Sequence, residues 1–108
     1  MNEQIKRSAL SLVGICKKSG HAICGTELIC DAIRRNPERV ALVLAAGDAS
    51  DNTKKKLTDK CAYYGVKLII AEISIAELGA ALGKSSAVAA VAVDDAGLAR
   101  AIEGKLNL

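Results

Sequence analysis

The stretch Val40–Ala46, VALVLAA, decides the fold. It is apolar throughout, contains β-branched residues and shows no alternation with polar side chains, the pattern of a strand covered on both faces. It is far too short to cross a membrane, which takes about 20 apolar residues, and the same holds for AVAAVAV near the C-terminus. A strand buried on both faces needs helices above and below it, and the flanking sequence must supply them.

It does so on both sides. After the turn Gly47-Asp48-Ala49-Ser50, Ser50 is placed to cap a helix over about 51–64. Leu57, Cys61 and Tyr64 line one side of that helix, Lys54, Lys55, Lys56 and Lys60 spread over the rest, and Gly65 ends it. VKLIIA (66–71) reads as the next strand, and Ser74 with Glu77 has the capping-box spacing for a short helix closing on Gly83. Ala87–Val93 is another buried strand. Asp94-Asp95 then starts a last helix in which Leu98, Ala101, Ile102 and Lys105 keep helical spacing.

Upstream, Ile5, Ala9, Leu12, Val13 and Cys16 mark one side of a helix ending at Gly20, with Lys6, Arg7, Lys17 and Lys18 on a different side. Ala22–Cys24 is extended. Thr26 is the expected N-cap of a helix that runs to about Arg35, where Asn36-Pro37 halts it. The order α-β-α-β-α-β-α-β-α predicts an α/β fold, a three-layer α-β-α sandwich with right-handed βα units, in one domain over 1–108. No repeat of fixed period is present.

Composition bounds the function. Half of the 108 residues are apolar (51%) and a quarter charged (25%), which excludes disorder; with no Phe or Trp, the core must be built from Ala, Val, Ile and Leu. The net charge of +3 is too small to prove a nucleic-acid partner, but it is uneven. Residues 1–60 hold eleven basic and seven acidic side chains, against four and five in 61–108. Cys16, Cys24, Cys30 and Cys61 form no CxxC pair and no leader-like segment precedes them, so reduced thiols in the cytoplasm are expected.

Catalytic patterns are missing. His21 is the only histidine and no GxSxG accompanies it, so it reads as a polar loop residue rather than a base. The cysteine spacings do not suit zinc, and Cys16 and Cys61 fall on apolar helix faces; no metal is expected. Neither GxGxxG nor a P-loop occurs. Asp48 and Asp51 follow a strand as in acidic phosphoacceptor sites, but turn formation and capping account for them better. What remains is surface-directed: KKSG (17–20), GTELICDAIRRN from Gly25, AAGDAS (45–50) and ELGAALGKSS from Glu77. Gly25-Thr26 would present free backbone N–H groups to a phosphate at a helix start, with Lys17 and Lys18 adding charge beside it.

The runs KKSGHAICGTELICDAIRRNPERVALVLAAGDAS and LTDKCAYYGVKLIIAEISIAELGAALGK, followed by a buried strand, resemble the kink-turn RNA-binding ribosomal-protein family of archaeal and eukaryotic large subunits. GDASDNTKKKLTDKCAYYGV is similar to its bacterial, YlxQ-like branch. The resemblance covers nearly the whole chain. It implies a four-stranded mixed sheet, no enzymatic activity, no cofactor, and recognition of kinked RNA by a Gly-x-Asn-Glu run, a lysine one turn later and an apolar loop before the last strand.

Position by position, Gly25 and Thr26 match, whereas Glu27 stands where the family has Asn, Leu28 where it has Glu and Asp31 where it has Lys. The loop corresponds to Lys84, Ser85, Ser86, Ala87 and Val88 and lacks the usual Val-Pro. An ionised Glu27 only accepts hydrogen bonds and Leu28 makes none, so the side chains that read the kink's base edges are absent. The expected function is a non-enzymatic protein bound to structured RNA, kink-turn or ribosomal, and associated with the ribosome or translation factors. Its RNA contacts would be Lys17, Lys18, Gly20, Gly25, Thr26, Glu27, Asp31, Lys84, Ser85, Ser86 and Ala87, with shape and phosphate contacts dominating. The competing expectation is a protein-interaction module on the same fold that has lost kink-turn recognition.

Overall fold

The computed structural model describes residues 1–106. Nine elements occur in the predicted order, and their ends follow from caps: α1 (Glu3–Lys18), β1 (Ala22–Cys24), α2 (Thr26–Arg35), β2 (Leu42–Ala46), α3 (Asp51–Tyr64), β3 (Leu68–Ala71), α4 (Ile75–Ala81), β4 (Ala90–Val93) and α5 (Ala96–Leu106). The Asn2 side chain accepts the Ile5 N–H at 2.8 Å at the start of α1. Ser50 Oγ accepts the Thr53 N–H at 3.1 Å at the start of α3, and Gly65 closes that helix in the left-handed region at φ 71°. The predicted capping box on α4 is complete, with Ser74 Oγ accepting from Glu77 N–H and the Glu77 carboxylate accepting from Ser74 N–H.

The strands are shorter than the apolar runs that predict them. Pro37–Arg39 form a turn of 3-10 helix whose Pro37 carbonyl accepts the Val40 N–H, so Val40 is still closing that turn and β2 starts at Leu42. Val66 likewise donates to the Cys61 carbonyl, delaying β3 to Leu68. Lys84–Ala89 are loop, and β4 begins at Ala90 rather than Ala87.

The sheet is mixed and runs β1-β4-β2-β3, with β2 and β3 parallel and β4 antiparallel to both its neighbours. The last strand in sequence is therefore central. Cys24 lies opposite Val91, Ala45 opposite Ala90 and Ala46 opposite Ala71. The C-terminal ends of β1, β2 and β3 thus share one end of the sheet with the start of β4, here called the Gly25 end. The start of β1 and the end of β4, where Ala22 faces Val93, lie at the other, the Lys18 end.

Both faces are covered. Leu42, Leu44, Val91 and Val93 pack with Val13 and Cys16 of α1, Leu78 of α4 and Ile102 of α5. Val43, Ala45, Ala90 and Ala92 pack with Ile29 and Ile33 of α2 and Leu57 and Cys61 of α3. The alternation of those two sets along β2 and β4 is the α-β-α sandwich that VALVLAA requires.

Gly47 fixes how the Gly25 end closes. Its N–H donates to the Ile73 carbonyl at 2.9 Å, and a Cβ there would sit 2.6 Å from the Ala71 carbonyl oxygen. Gly47→Ala must push two backbones apart, so it is expected to cost about 1–3 kcal/mol of unfolding free energy. Urea denaturation measures this, and an unshifted midpoint would mean the two loops are not held in contact.

Candidate nucleic-acid interface

The Gly25 end is organised around the start of β4. The Ala90 carbonyl accepts the Gly25 N–H at 3.2 Å on one side, and the Ala89 carbonyl accepts the Ala46 N–H at 2.8 Å on the other. These two bonds place the Gly25 turn, the Gly47–Ser50 turn and the Lys84–Ala89 loop side by side.

The N-cap of α2 is Gly25, with φ 99° and ψ 138°, and Thr26 is the first helical residue rather than the cap predicted from sequence. A cap residue stays outside helical geometry, and this backbone lies in a region that β-branched threonine resists and glycine enters freely. The consequence is chemical. No side chain caps α2, so its first N–H groups face outward beside exposed Glu27 and Leu28, whereas α3 and α4 satisfy theirs with Ser50 and Ser74. Asp48 also works internally, its carboxylate accepting the Ile75 N–H at 2.8 Å, which fits the turn-and-cap reading of that aspartate.

The two acidic side chains of α2 are matched by cations. Lys56 of α3 donates to the Glu27 carboxylate and has its pKa raised above the usual lysine value, chiefly by that hydrogen bond. Asp31 accepts from Arg34 and lies 3.2 Å from Arg35 Nε. The sequence shows the Asp31 pairing as helical spacing, but nothing in it points from Glu27 to a lysine 29 positions away. These are exposed pairs of small energetic weight; their effect is on local charge.

The loop is held against α4. Lys84 N–H donates to the Gly79 carbonyl at 2.9 Å, and a Cβ on Gly79 would lie 3.3 Å from the Ser86 carbonyl oxygen. Gly79 therefore lets the loop approach the helix, a role invisible before the packing is known. Lys84, Ser85, Ser86 and Ala87 are all exposed, while Val88 is buried and anchors the return to β4.

Gly25, Thr26, Glu27, Lys84, Ser85, Ser86 and Ala87 are thus brought to one end, with Asp31 one turn along α2. Lys17, Lys18 and Gly20 are not. They end α1 and lead into the start of β1, at the Lys18 end, so the expectation that Lys17 and Lys18 add charge beside Gly25-Thr26 is corrected. The reason is that the extended segment Ala22–Cys24 pairs along β4 and carries the chain from the Lys18 end of the sheet to the Gly25 end. His21 there is hydrogen-bonded through Nδ1 to Asp94 Oδ1 at 2.8 Å, and its backbone carbonyl accepts the Asp94 N–H, tying β1 to the end of β4. Among the described residues no group of three or more His, Cys, Asp or Glu is placed to hold a metal, and no helix is long and apolar enough to cross a membrane.

Residues 7–103 match the family model described as Ribosomal protein L7Ae/L30e/S12e/Gadd45 family. An RNA-binding protein YlxQ of Bacillus subtilis (strain 168) is 42% identical over 96 residues, 89% of this chain and 92% of that protein. One of the same description from Enterococcus faecium is 44% identical over 66 residues, spanning 61% of this chain and 62% of the relative. A solved structure of a protein of unknown function from Bacillus halodurans superposes with a TM-score of 0.84 at 31% identity, covering 93% of this chain and 97% of that one. The Giardia lamblia 15.5kD RNA binding protein shares the fold, with a TM-score of 0.77 at 23% identity over 99% and 91% of the two chains.

All four thiols are unbonded. Cys61 is pushed up to about 11, by burial first and by neighbouring Cys30 second, and burial also raises Cys16. A thiol reacts as its thiolate, so at pH 8 these two are expected to resist alkylation, and buried Cys30 lacks access. Half-buried Cys24 should label first in the native protein and all four in denaturant. Peptide mass spectrometry after a timed iodoacetamide pulse reads the order, and early labelling of Cys61 would contradict the packing of α3 on the sheet.

Proposed function

The chain belongs to the Ribosomal protein L7Ae/L30e/S12e/Gadd45 family, and we propose that it is a non-enzymatic RNA-binding protein that takes structured RNA on the Gly25 end of its sheet. The observation that carries this reading is the uncapped start of α2, fixed next to the exposed Lys84–Ala87 loop by the Gly25–Ala90 hydrogen bond. A helix start with free N–H groups accepts a phosphate oxygen, Lys84 supplies a mobile positive charge, and the small side chains of Ser85, Ser86 and Ala87 let a distorted backbone come close. The relatives described as RNA-binding proteins support the same partner.

Glu27, Leu28 and Asp31 cannot reproduce base-edge reading by Asn, Glu and Lys, so recognition rests on the shape and phosphates of folded RNA, with kink-turn geometry as one such shape. Lys17, Lys18 and Gly20 form a separate basic turn, which meets RNA that continues past the sheet to the Lys18 end. The setting is the cytoplasm, in association with the ribosome or translation factors. The protein-interaction alternative drew its support from Glu27 and Asp31. Their pairing with Lys56, Arg34 and Arg35 leaves no acidic patch there, which favours RNA.

Titration of a kink-turn RNA and a straight duplex at two salt concentrations tests the proposal. The kinked RNA is expected to bind more tightly and both affinities to fall with salt; equal affinity for the two would remove shape recognition. Lys84→Glu should weaken binding and flatten the slope of log affinity against log salt by about one. Lys17→Glu with Lys18→Glu should weaken a short stem less than Lys84→Glu does, and the reverse ranking would move the RNA to the Lys18 end. Glu27→Gln removes a carboxylate near the phosphates and frees Lys56, so affinity is expected to rise severalfold at low salt. A drop would show that Glu27 itself accepts from the RNA.

A further inference from the structure

The α2–α3 seam carries a second set of features that the Gly25 end does not use. Both helices leave that end in the same direction, α2 after β1 and α3 after β2. On α3, Lys56, Lys60 and Tyr63 recur at intervals of four and three residues and so share one side of the helix; on α2, Glu27, Asp31 and Arg34 do the same. The Lys56–Glu27 pair places these two sides against each other at the first turn of α2. Along the seam, Glu27 is paired with Lys56 and Asp31 with Arg34 and Arg35, and Lys60 follows Lys56 one turn on, a local excess of positive charge. Lys60 makes no ion pair among the described residues.

The seam ends on an aromatic ring in water. Tyr63 is 83% exposed, the most open large apolar side chain described. Its ring is nevertheless held, packed edge-to-face on Tyr64 with centroids 4.9 Å apart and planes at 80°. From Lys56 to Tyr63 the helix rises about 10 Å. Cations followed by an exposed, oriented ring make up the surface that single-stranded nucleic acids bind, through phosphates on the charges and a base stacked on the ring.

We propose that the seam is a second RNA contact. It takes a single-stranded segment running on from the structured RNA at the Gly25 end, with phosphates on Lys56 and Lys60 and one unstacked base on Tyr63. The proposal rests on the RNA-binding reading above. The continuity is physical, because Lys56 belongs to both surfaces.

One stem RNA is prepared with blunt ends and with a single-stranded uridine flank, and the binding of each is measured by fluorescence anisotropy. The wild type is expected to prefer the flanked RNA. Tyr63→Ala should lose about tenfold on that RNA and nothing on the blunt stem, Tyr63→Phe should keep the preference, and Lys60→Ala should reduce the salt slope for the flanked RNA only. With no Trp and two tyrosines in the chain, quenching of tyrosine emission by the flanked RNA reads the stacking directly. Tight binding of both RNAs without preference, or a preference that survives Tyr63→Ala, overturns the seam and leaves the RNA-binding reading standing. A preference that Tyr63→Phe fails to keep overturns stacking as its cause. If neither RNA binds, the RNA-binding reading falls and the seam with it.

Discussion

Everything at the Gly25 end depends on where β4 starts. Two consecutive carbonyls, Ala89 and Ala90, accept hydrogen bonds from opposite sides, from Ala46 and Gly25. That geometry is available only to a strand inserted between two others. Because β4 is the last strand in sequence and central in the sheet, it pairs with segments made about 70 and 50 residues earlier. Until it is in place, the Gly25 turn and the Lys84–Ala87 loop belong to separate parts of the chain. A backbone pairing, not a side-chain motif, thus assembles the candidate site, and the glycines at 47 and 79 matter because they let the neighbouring backbones approach it.

The same pairing marks the boundary of what the sequence discloses. Local signals were sufficient for the elements: VALVLAA for a doubly covered strand, Ser50 and Ser74 for helix starts, Gly65 for a helix end. Each of these signals acts over a few residues; the two serines and Gly65 sit where they were expected, and the strand starts two residues later, at Leu42. The family resemblance added the four-stranded mixed sheet. The strand order was not legible, since nothing in the periodicity of AVAAVAV says which strands it will divide. Lys17 and Lys18 were misplaced for the same reason, as their distance from Gly25 in sequence is short while the strand between them spans the sheet. The Glu27–Lys56 pair and the close approach at Gly79 are products of packing between helices and loops and leave no local trace.

The electrostatics of the interface come from pairing rather than from net charge. A charge of +3 spread over 108 residues gives a weak overall field. What differs from place to place is which donors and charges are already satisfied. α1, α3 and α4 have side chains on their first N–H groups and α2 has none, so the helix starts at the Gly25 end are not equivalent, and that of α2 is left open. Glu27 and Asp31, which in sequence look like obstacles to a polyanion, are each taken up by cations. Lys84 in the adjoining loop makes no such pair among the described residues. The open helix start and the loop lysine consequently keep unused capacity toward an anion.

The scarcity of aromatics sharpens the meaning of those that remain. The buried core of Ala, Val, Ile, Leu and Cys on both faces of the sheet contains no ring, and at Gly14, where a Cβ would lie 3.3 Å from the Ala81 carbonyl oxygen, α1 comes close to α4. Tyr64 is partly drawn into the layer of α2 and α3, but Tyr63 stays in solvent, held only by its neighbour. Nothing in the packing of the described residues requires a large ring there. An exposed aromatic that the core does not use, on the helix side that begins with a lysine of the candidate interface, offers a flat apolar face beside positive charge, the combination that the proposed seam contact requires.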